Sequence, residues 1–530
     1  MTTIRLSLAC LAVAAFAVFG CGVTAPDVTA ADKAAPAAPA APKAPKAPKA
    51  PAETAAPAAP KETKRRDWPL WGGTPTRNMV NLVETGIAKE WDVKSGKNIK
   101  WKAALGSQSY GNPVVVDGRI FVGTNNEAVR NPKIKGDKGN IMCFAEEDGK
   151  FLWQAVHDKL DAGRVNDWPL QGICSSPVVE GNRLYYVSNR CELVCADVEG
   201  FLDGATIEEA NDGPYKDEKY KSKIDGDFVW VLDMMEELTV FPHNLATSSP
   251  VIGGDYVFVV TSNGVDEGHI DIPSPAAPSF IAVDKKTGEV IWEDDSPGTN
   301  ILHGQWSSPA YGTIGGTAQV LCAGGDGWLY SFKPETGDIL WKFDCNPKGT
   351  KWELYGNGTK NAIIATPVIY NDRVFIAVGQ DPEHGIGDGH LYRINPVGKS
   401  GDISADGAEW HYGDKNFKRT MSSVAVKDGL VYASDLSGIL NCLDEKTGKP
   451  YWKFDTFAAV WGSPTIIDGK VYIGDEDGDV VVLKEGKKLE LLTKTEDGMS
   501  MGNAVLTTPV AVNGVLYIVN KTTLFAIEEK

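Results

Sequence analysis

Positive charge is scarce in this chain: 53 Lys and Arg stand against 70 Asp and Glu, for a net charge of −17. The first 66 residues carry nine basic and four acidic side chains, so the remainder is more acidic than the total. Such a balance opposes binding to a phosphate backbone and argues for solubility. Nucleic acid is therefore not expected as a partner. Long apolar runs are missing too. The N-terminal stretch from Leu6 to Phe19 is shorter than the roughly 20 residues a membrane helix needs, and no stop-transfer pattern follows it. Histidine (7) and cysteine (9) are sparse for 530 residues. No nucleophile–base pair and no glycine-rich phosphate loop stands out. Cys191 and Cys195 have the spacing of a metal pair, but they belong to one strand with no His or Cys partner in register, so no metal site is expected.

What the chain does have is repetition. Asp284-Lys285-Lys286-Thr287-Gly288-Glu289-Val290-Ile291-Trp292 recurs around Thr336-Gly337 to Trp341, around Thr447-Gly448 to Trp452 and, more loosely, around Gly149 to Trp153. The glycine supplies the positive φ of a tight hairpin turn, and the tryptophan at fixed spacing places a large ring on the next strand. A shared frame of this kind marks a repeat protein. Trp101, Trp153, Trp292, Trp341 and Trp452 are assigned to docking between repeats.

Each repeat opens on a small-Pro-Val phrase, followed by an Asp-Gly or Asn-Gly turn between β-rich runs. A third strand and the tryptophan strand complete a four-stranded antiparallel unit, the size of a propeller blade. Openings near Asn112, Ser176, Ser249, Ser308, Thr366, Ser423, Ser463 and Thr508 predict an all-β, eight-bladed β-propeller. The last repeat has room for only three strands before Lys530. Asn98 to Leu105 is therefore expected to supply its fourth strand and close the ring, which removes exposed sheet edges.

Three segments follow: 1–21 as a signal peptide, 22–66 as a disordered Ala/Pro/Lys-rich linker that cannot bury a core, and 67–530 as the propeller. Val18-Phe19-Gly20-Cys21 resembles a bacterial lipobox with Cys21 as the lipidated residue, and Gly22 after it resembles the pattern sorted to the outer membrane. The protein is thus expected to be exported, periplasmic and attached to the outer membrane by a lipid alone. Cys143, Cys195 and Cys442 share the third-strand register of Ala282, Ser331 and Ala526, where a small core side chain is needed. Cys174 with Cys191, and Cys322 with Cys345, are left open as disulfide pairs.

The connections divide by face. First-to-second and third-to-fourth turns are mostly minimal, except for a charged insertion from about Glu199 to Asp227. Second-to-third and blade-to-blade connections are long, and long loops on one face of a rigid scaffold usually carry function. His157, His243, His269, His303 and His384 fall within them, and His390 lies at an edge. The candidate binding residues are His303, Gln305 and Trp306, with Asp266, His269, Asp381, His384 and His390. The alternative is that these side chains pin loops by hydrogen bonds. Asp475-Glu476-Asp477-Gly478-Asp479 reads as a turn, because an EF-hand loop would need an acidic residue where Gly486 stands.

From about residue 67 onward, these Thr-Gly-x-x-x-Trp motifs resemble the PQQ-like propeller family, the quinoprotein alcohol dehydrogenase-like eight-bladed propellers. Asp67-Trp68-Pro69-Leu70-Trp71-Gly72-Gly73 resembles the lead-in of its exported members. The resemblance implies the fold and leaves two functions open. One is a scaffold like the BamB-type lipoprotein, binding a protein or small-molecule ligand through the long-loop face, with no catalytic residues and no cofactor. The other is a dehydrogenase oxidising an alcohol or sugar with PQQ and calcium. Dehydrogenases of this fold commonly carry adjacent cysteines near the quinone, and this chain has no Cys-Cys pair.

Overall fold

The computed structural model describes residues 65–530 apart from 212, 355–357 and 497. Eight sheets, each of four main strands, follow one another along the chain. Their first strands are Val114–Val116, Val178–Glu180, Val251–Gly253, Ala310–Ile314, Val368–Tyr370, Ala425–Lys427, Thr465–Ile467 and Val510–Val512, which we number blades 1 to 8. Neighbouring blades cover both faces of each sheet. This is why strands such as Arg119–Asn125 and Val515–Val519 are almost continuously buried and read as apolar runs rather than alternating ones. Turns such as Asp117-Gly118 and Asp468-Gly469 hold positive φ at both central residues, the geometry that matches strand twist in two-residue hairpins.

The ring closes as expected. Ile99–Ala104 pairs antiparallel with Thr523–Ile527, setting Trp101 opposite Ala526. The small-residue register recurs across blades: Cys143 faces Trp153, Cys195 faces Trp230, Ala282 faces Trp292, Ser331 faces Trp341 and Cys442 faces Trp452.

Most of these tryptophans hydrogen-bond to the next blade. The Trp101, Trp153 and Trp292 indoles donate to the carbonyls of Glu146, Val198 and Pro334. Their rings lie against Gly149, Gly200 and Gly337, where a Cβ would meet the ring at 3.1 Å or less. Glycine is thus required at these turns for close approach as well as for φ. Trp452 donates to Gly486 in the same manner. Trp341 departs from the pattern, donating to Gln319 of its own blade. Trp230 and Trp410, absent from the repeat motif, fill the same role through Lys285 and Glu445. The insertion after Glu199 explains the first: Gly200 and Gly226 bracket Trp153, and the fourth strand resumes only at Phe228.

The segment from Trp68 to Asn81 winds around the channel at the short-turn face. Trp68 pairs with Val115 of blade 1, and Pro69, Pro75, Thr76 and Met79 accept from Val179, Tyr311, Ile369 and Ile466 of blades 2, 4, 5 and 7. The Asn78 and Asn81 amides donate to Val426 and Ala511 of blades 6 and 8. Blade 3 is met by Arg77, fully buried, whose guanidinium donates to the carbonyls of Ser249, Pro250, Pro309 and Trp71. The lead-in is therefore a plug touching every blade.

The seven described cysteines are free thiols, so neither open disulfide pairing forms. Cys322 and Cys345 pack on opposite faces of blade 4, one in the core shared with Tyr330 and Phe332, the other in the core shared with Leu329 and Trp341. Cys191 packs toward blade 3 against the Thr261 carbonyl, while Cys174 lies in a connection beside the Gln171 carbonyl. The acidic turn is held by its own backbone, with Asp475 accepting from Gly478 and Asp479. The segments expected to be a signal peptide and a linker, with Cys21, lie outside the described residues except for the last two linker residues. Those two, Arg65 and Arg66, pair with Glu146 and Glu84.

Candidate functional site

The mouth of the channel at the long-loop face holds a cavity of about 420 Å³. Its inner ring is the opening residue of the blades. Asn112, Ser176 and Ser249 each donate a backbone N–H to the side chain of the next opening residue, as do Thr366, Ser423, Ser463 and Thr508. These small polar side chains are thus spent on holding blades together. The wall above them is the residue two positions earlier in every blade: Tyr110, Cys174, Thr247, Trp306, Ile364, Met421, Trp461 and Leu506. Trp71 of the plug forms the base and Trp168 joins the wall. Tyr110 and Trp461 pack at 6.0 Å between ring centroids. The only charged side chains among the described lining residues are Asp381 and Glu383.

Behind Trp306 lies a cluster of histidines drawn from long connections of three blades. His303 is central: its ring centroid is 4.4 Å from His243, 4.6 Å from His269 and 4.6 Å from His384. Asp381 sits at the start of a short turn over Pro382–His384, where its carboxylate accepts from the Glu383 N–H. Its Oδ2 lies 3.0 Å from His303 Nδ1 and 3.2 Å from His384 Nδ1. Burial pushes the Asp381 carboxyl up, but the two histidine hydrogen bonds outweigh it and hold the group well below the usual carboxylate range. His243 Nδ1 lies 2.9 Å from the Val265 carbonyl. Burial, then His303 beside it, push the His243 pKa down to about 3, so its imidazole is neutral at neutral pH.

Of the residues picked from sequence, His303, His269, Asp381, His384 and Trp306 come together here. Trp306 lines the cavity while its indole donates to the carbonyls of His243 and Leu245. Gln305 is fully buried and its amide ties three segments, donating to Asn263 and Ser279 and accepting from Gly325. Asp266 spends its carboxylate on the backbone of Ile270 and Asp271. His157 lies on a fourth strand, between Glu192 and Tyr186, rather than in a loop. Sequence reasoning did not select His243, Tyr110, Trp168 or Trp461. The signal for the wall was available, since those residues stand at one fixed offset from the openings.

His390 lies apart from the cluster, on the third strand of blade 5, with Nδ1 3.1 Å from His411 Nε2. Burial, then His411, push its pKa down to about 4. The unfolded chain takes up this proton near pH 6.5. The stability His390 contributes as a neutral group is therefore fully present above that pH and is lost as pH falls toward 4. Urea unfolding of His390→Gln should show a shallower acid loss than the parent, the difference reaching ~2 kcal/mol at pH 5. Parallel profiles would mean that His390 titrates normally in the fold.

Comparisons with known proteins agree with this architecture. A family model described as outer membrane protein assembly factor BamB matches residues 224–386 and 387–530. BamB from Moraxella catarrhalis is similar at 14% identity, covering 81% of this chain and 96% of its own, with a TM-score of 0.48. The computationally designed Ika8 protein is similar at 12% identity, covering 81% and 99%, with a TM-score of 0.50. A quinohemoprotein alcohol dehydrogenase from Comamonas testosteroni is similar at 13% identity, covering 87% and 80%, with a TM-score of 0.44. No curated protein matches the chain.

Proposed function

Because this chain belongs to the PQQ-like propeller family whose model is described as outer membrane protein assembly factor BamB, we propose that it is an exported, lipid-anchored binding module that holds a partner or ligand at its long-loop face. The observation that carries this reading is the one-ended channel. The plug from Trp68 to Asn81 fills the short-turn end of the channel, so the channel opens at the long-loop mouth, which holds the cavity. That mouth is walled by aromatic and aliphatic side chains with a carboxylate at its rim. Such a lining suits an apolar or aromatic group of a partner, neutral or cationic at its outer end. Cys21 would carry the anchor; no helix among the described residues is long and apolar enough to cross a membrane. Assembly of outer-membrane proteins, the role in the family description, is the setting in which such a module would act.

The quinone reading fits the lining poorly. PQQ is a planar tricarboxylate, and the described lining residues include no Lys or Arg to neutralise it. Of the buried cations, Arg77 is committed to four backbone carbonyls, and Arg419 donates to Asn361 and the carbonyls of His384 and Gly358. The carboxylate of Asp381 is committed to His303, His384 and a backbone N–H, which leaves it a poor calcium ligand.

Two tests follow. A photoreactive phenylalanine placed at Glu383 on the rim should form adducts in the cell envelope, and one placed at exposed Asp428 on the short-turn face should not. Tyr110→Ala with Trp461→Ala should weaken that capture by ~30-fold or more, the loss expected of an aromatic hot spot, while far-ultraviolet circular dichroism stays unchanged. Equal labelling from both faces, or capture untouched by the double variant, would remove the site. Separately, Cys21→Ser should move the protein from the membrane to the soluble fraction; unchanged partitioning would refute the anchor.

A further inference from the structure

We propose that His243, His269 and His303 bind a divalent transition-metal ion, with Asp381 as the residue that positions His303. The inference is independent of the binding role assigned to the channel mouth. It starts from which ring nitrogens carry protons. A carbonyl oxygen only accepts, so the contact from His243 to Val265 places the proton of the neutral ring on Nδ1. An ionised carboxylate also only accepts, so Asp381 places the proton of His303 on Nδ1 as well. With Nδ1 turned to these acceptors in both rings, Nε2 is the position left to bind an ion. Both rings are 1% exposed, and both Nε2 atoms are buried with no hydrogen-bond partner among the described residues. Burying an acceptor unpaired is costly, and one electrophile shared between these rings would pair both.

The geometry supports a single ion. One ring nitrogen from each of His243, His269 and His303 lies within 4.8 Å of the others. Two nitrogens bound tetrahedrally to one metal at ~2.0–2.1 Å are about 3.4 Å apart, so closure needs up to about 0.7 Å from each ring, within reach of small ring rotations. The contacts of the opposite nitrogens are those that metal-bound histidines make, one to a backbone carbonyl and one to a carboxylate. A donor set of imidazoles alone selects Zn²⁺, Ni²⁺, Cu²⁺ or Co²⁺ over the oxygen-seeking Ca²⁺ and Mg²⁺. Three protein ligands leave a coordination position for water or a ligand atom. His269 is half-buried and offers the ion a way in from the loop surface. His384 shares Oδ2 of Asp381 and so helps hold that carboxylate in place.

The test uses the full chain without an affinity tag, stripped with EDTA and dialysed. Zinc chloride should bind at one equivalent per chain by elemental analysis and titration calorimetry, and at 100 times its Kd should raise the thermal midpoint by about 3 °C. Cobalt chloride should give the visible absorption of a nitrogen-coordinated centre. His269→Gln, which removes the least buried ligand, should abolish stoichiometric binding of both ions with the fold intact. His303→Gln should do the same. Asp381→Asn should keep the binding but weaken it 10–100-fold and alter the cobalt spectrum, as expected of a positioning residue. His390→Gln, in the other histidine pair, should bind like the parent. Folded parent protein that takes up none of Zn²⁺, Co²⁺, Ni²⁺ or Cu²⁺ at micromolar concentration would overturn the proposal. So would His269→Gln and His303→Gln variants that bind as tightly as the parent.

Discussion

A body lacking residues 67–105 should lose its cooperative unfolding transition. Two separate losses coincide in that deletion. The first is the fourth strand of blade 8, Ile99–Ala104, whose removal leaves Thr523–Ile527 as an open edge and separates blade 8 from blade 1. Trp101 goes with it, and the indole contact to Glu146 in blade 1 is the docking bond across the seam. The second is the plug with the chain that follows it to Leu105. Trp68, Leu70, Met79, Ile87, Trp91 and Leu105 are all buried, and at ~1.5–3 kcal/mol per large apolar side chain their burial is comparable with the roughly 5–15 kcal/mol net stability of a folded domain. The truncated protein should show a broad, non-cooperative melt by near-ultraviolet circular dichroism and rapid cleavage by trypsin. If it instead melted in one sharp transition within a few degrees of the full body, closure and plug would both be dispensable, and the ring would have to be held by the seven complete blades alone.

Blade count, blade boundaries and ring closure were legible because they rest on local rules that repeat. A turn glycine followed by tryptophan, and a small-Pro-Val opening, survive in any order of reading because each serves one short stretch of chain. The docking tryptophans Trp230 and Trp410 were hidden for the converse reason. Their turns are interrupted by the insertion in blade 2 and by the segment in blade 5 that adds Gly401–Asp402 to the sheet of blade 4. The plug was read only as a lead-in, since its hydrogen bonds pair residues hundreds of positions apart and leave no periodicity. The histidine cluster shows the same limit. No close spacing links His243, His269, His303 and His384, so a search for metal-type spacing finds none. Only the ring of blades brings their loops together, and only Asp381 and Val265 decide which nitrogens are left unpaired. Gln305 shows the opposite error. It neighbours Trp306 in sequence, but Trp306 lines the cavity while the Gln305 amide is buried as a loop tie to Asn263 and Gly325.

Arg77 offers the second large effect, and it isolates the plug from the closing strand. Its guanidinium is fully buried with no carboxylate partner in the ion pairs of the described residues; four carbonyl oxygens solvate it instead, at 2.7–3.0 Å. Two of those carbonyls belong to blade 3 and one to blade 4, while the fourth, Trp71, belongs to the plug itself, so one side chain fastens the segment at its midpoint. Arg77→Met keeps much of the apolar stem but leaves these carbonyls buried with no donor, a loss in the range of ~3–5 kcal/mol known for breaking buried charge networks. Arg77→Lys restores the charge and some donors, but its ammonium cannot span the planar fork, so it should fall between. The expected order of urea midpoints is Arg above Lys above Met, at unchanged m. Trypsin should also cut more readily at Lys89 and Lys94 in the Met variant, because the freed plug exposes the chain that follows it. A Met variant as stable as the parent would mean that the carbonyls find water or each other, and that the plug is held by its backbone pairing with the blades rather than by its buried cation.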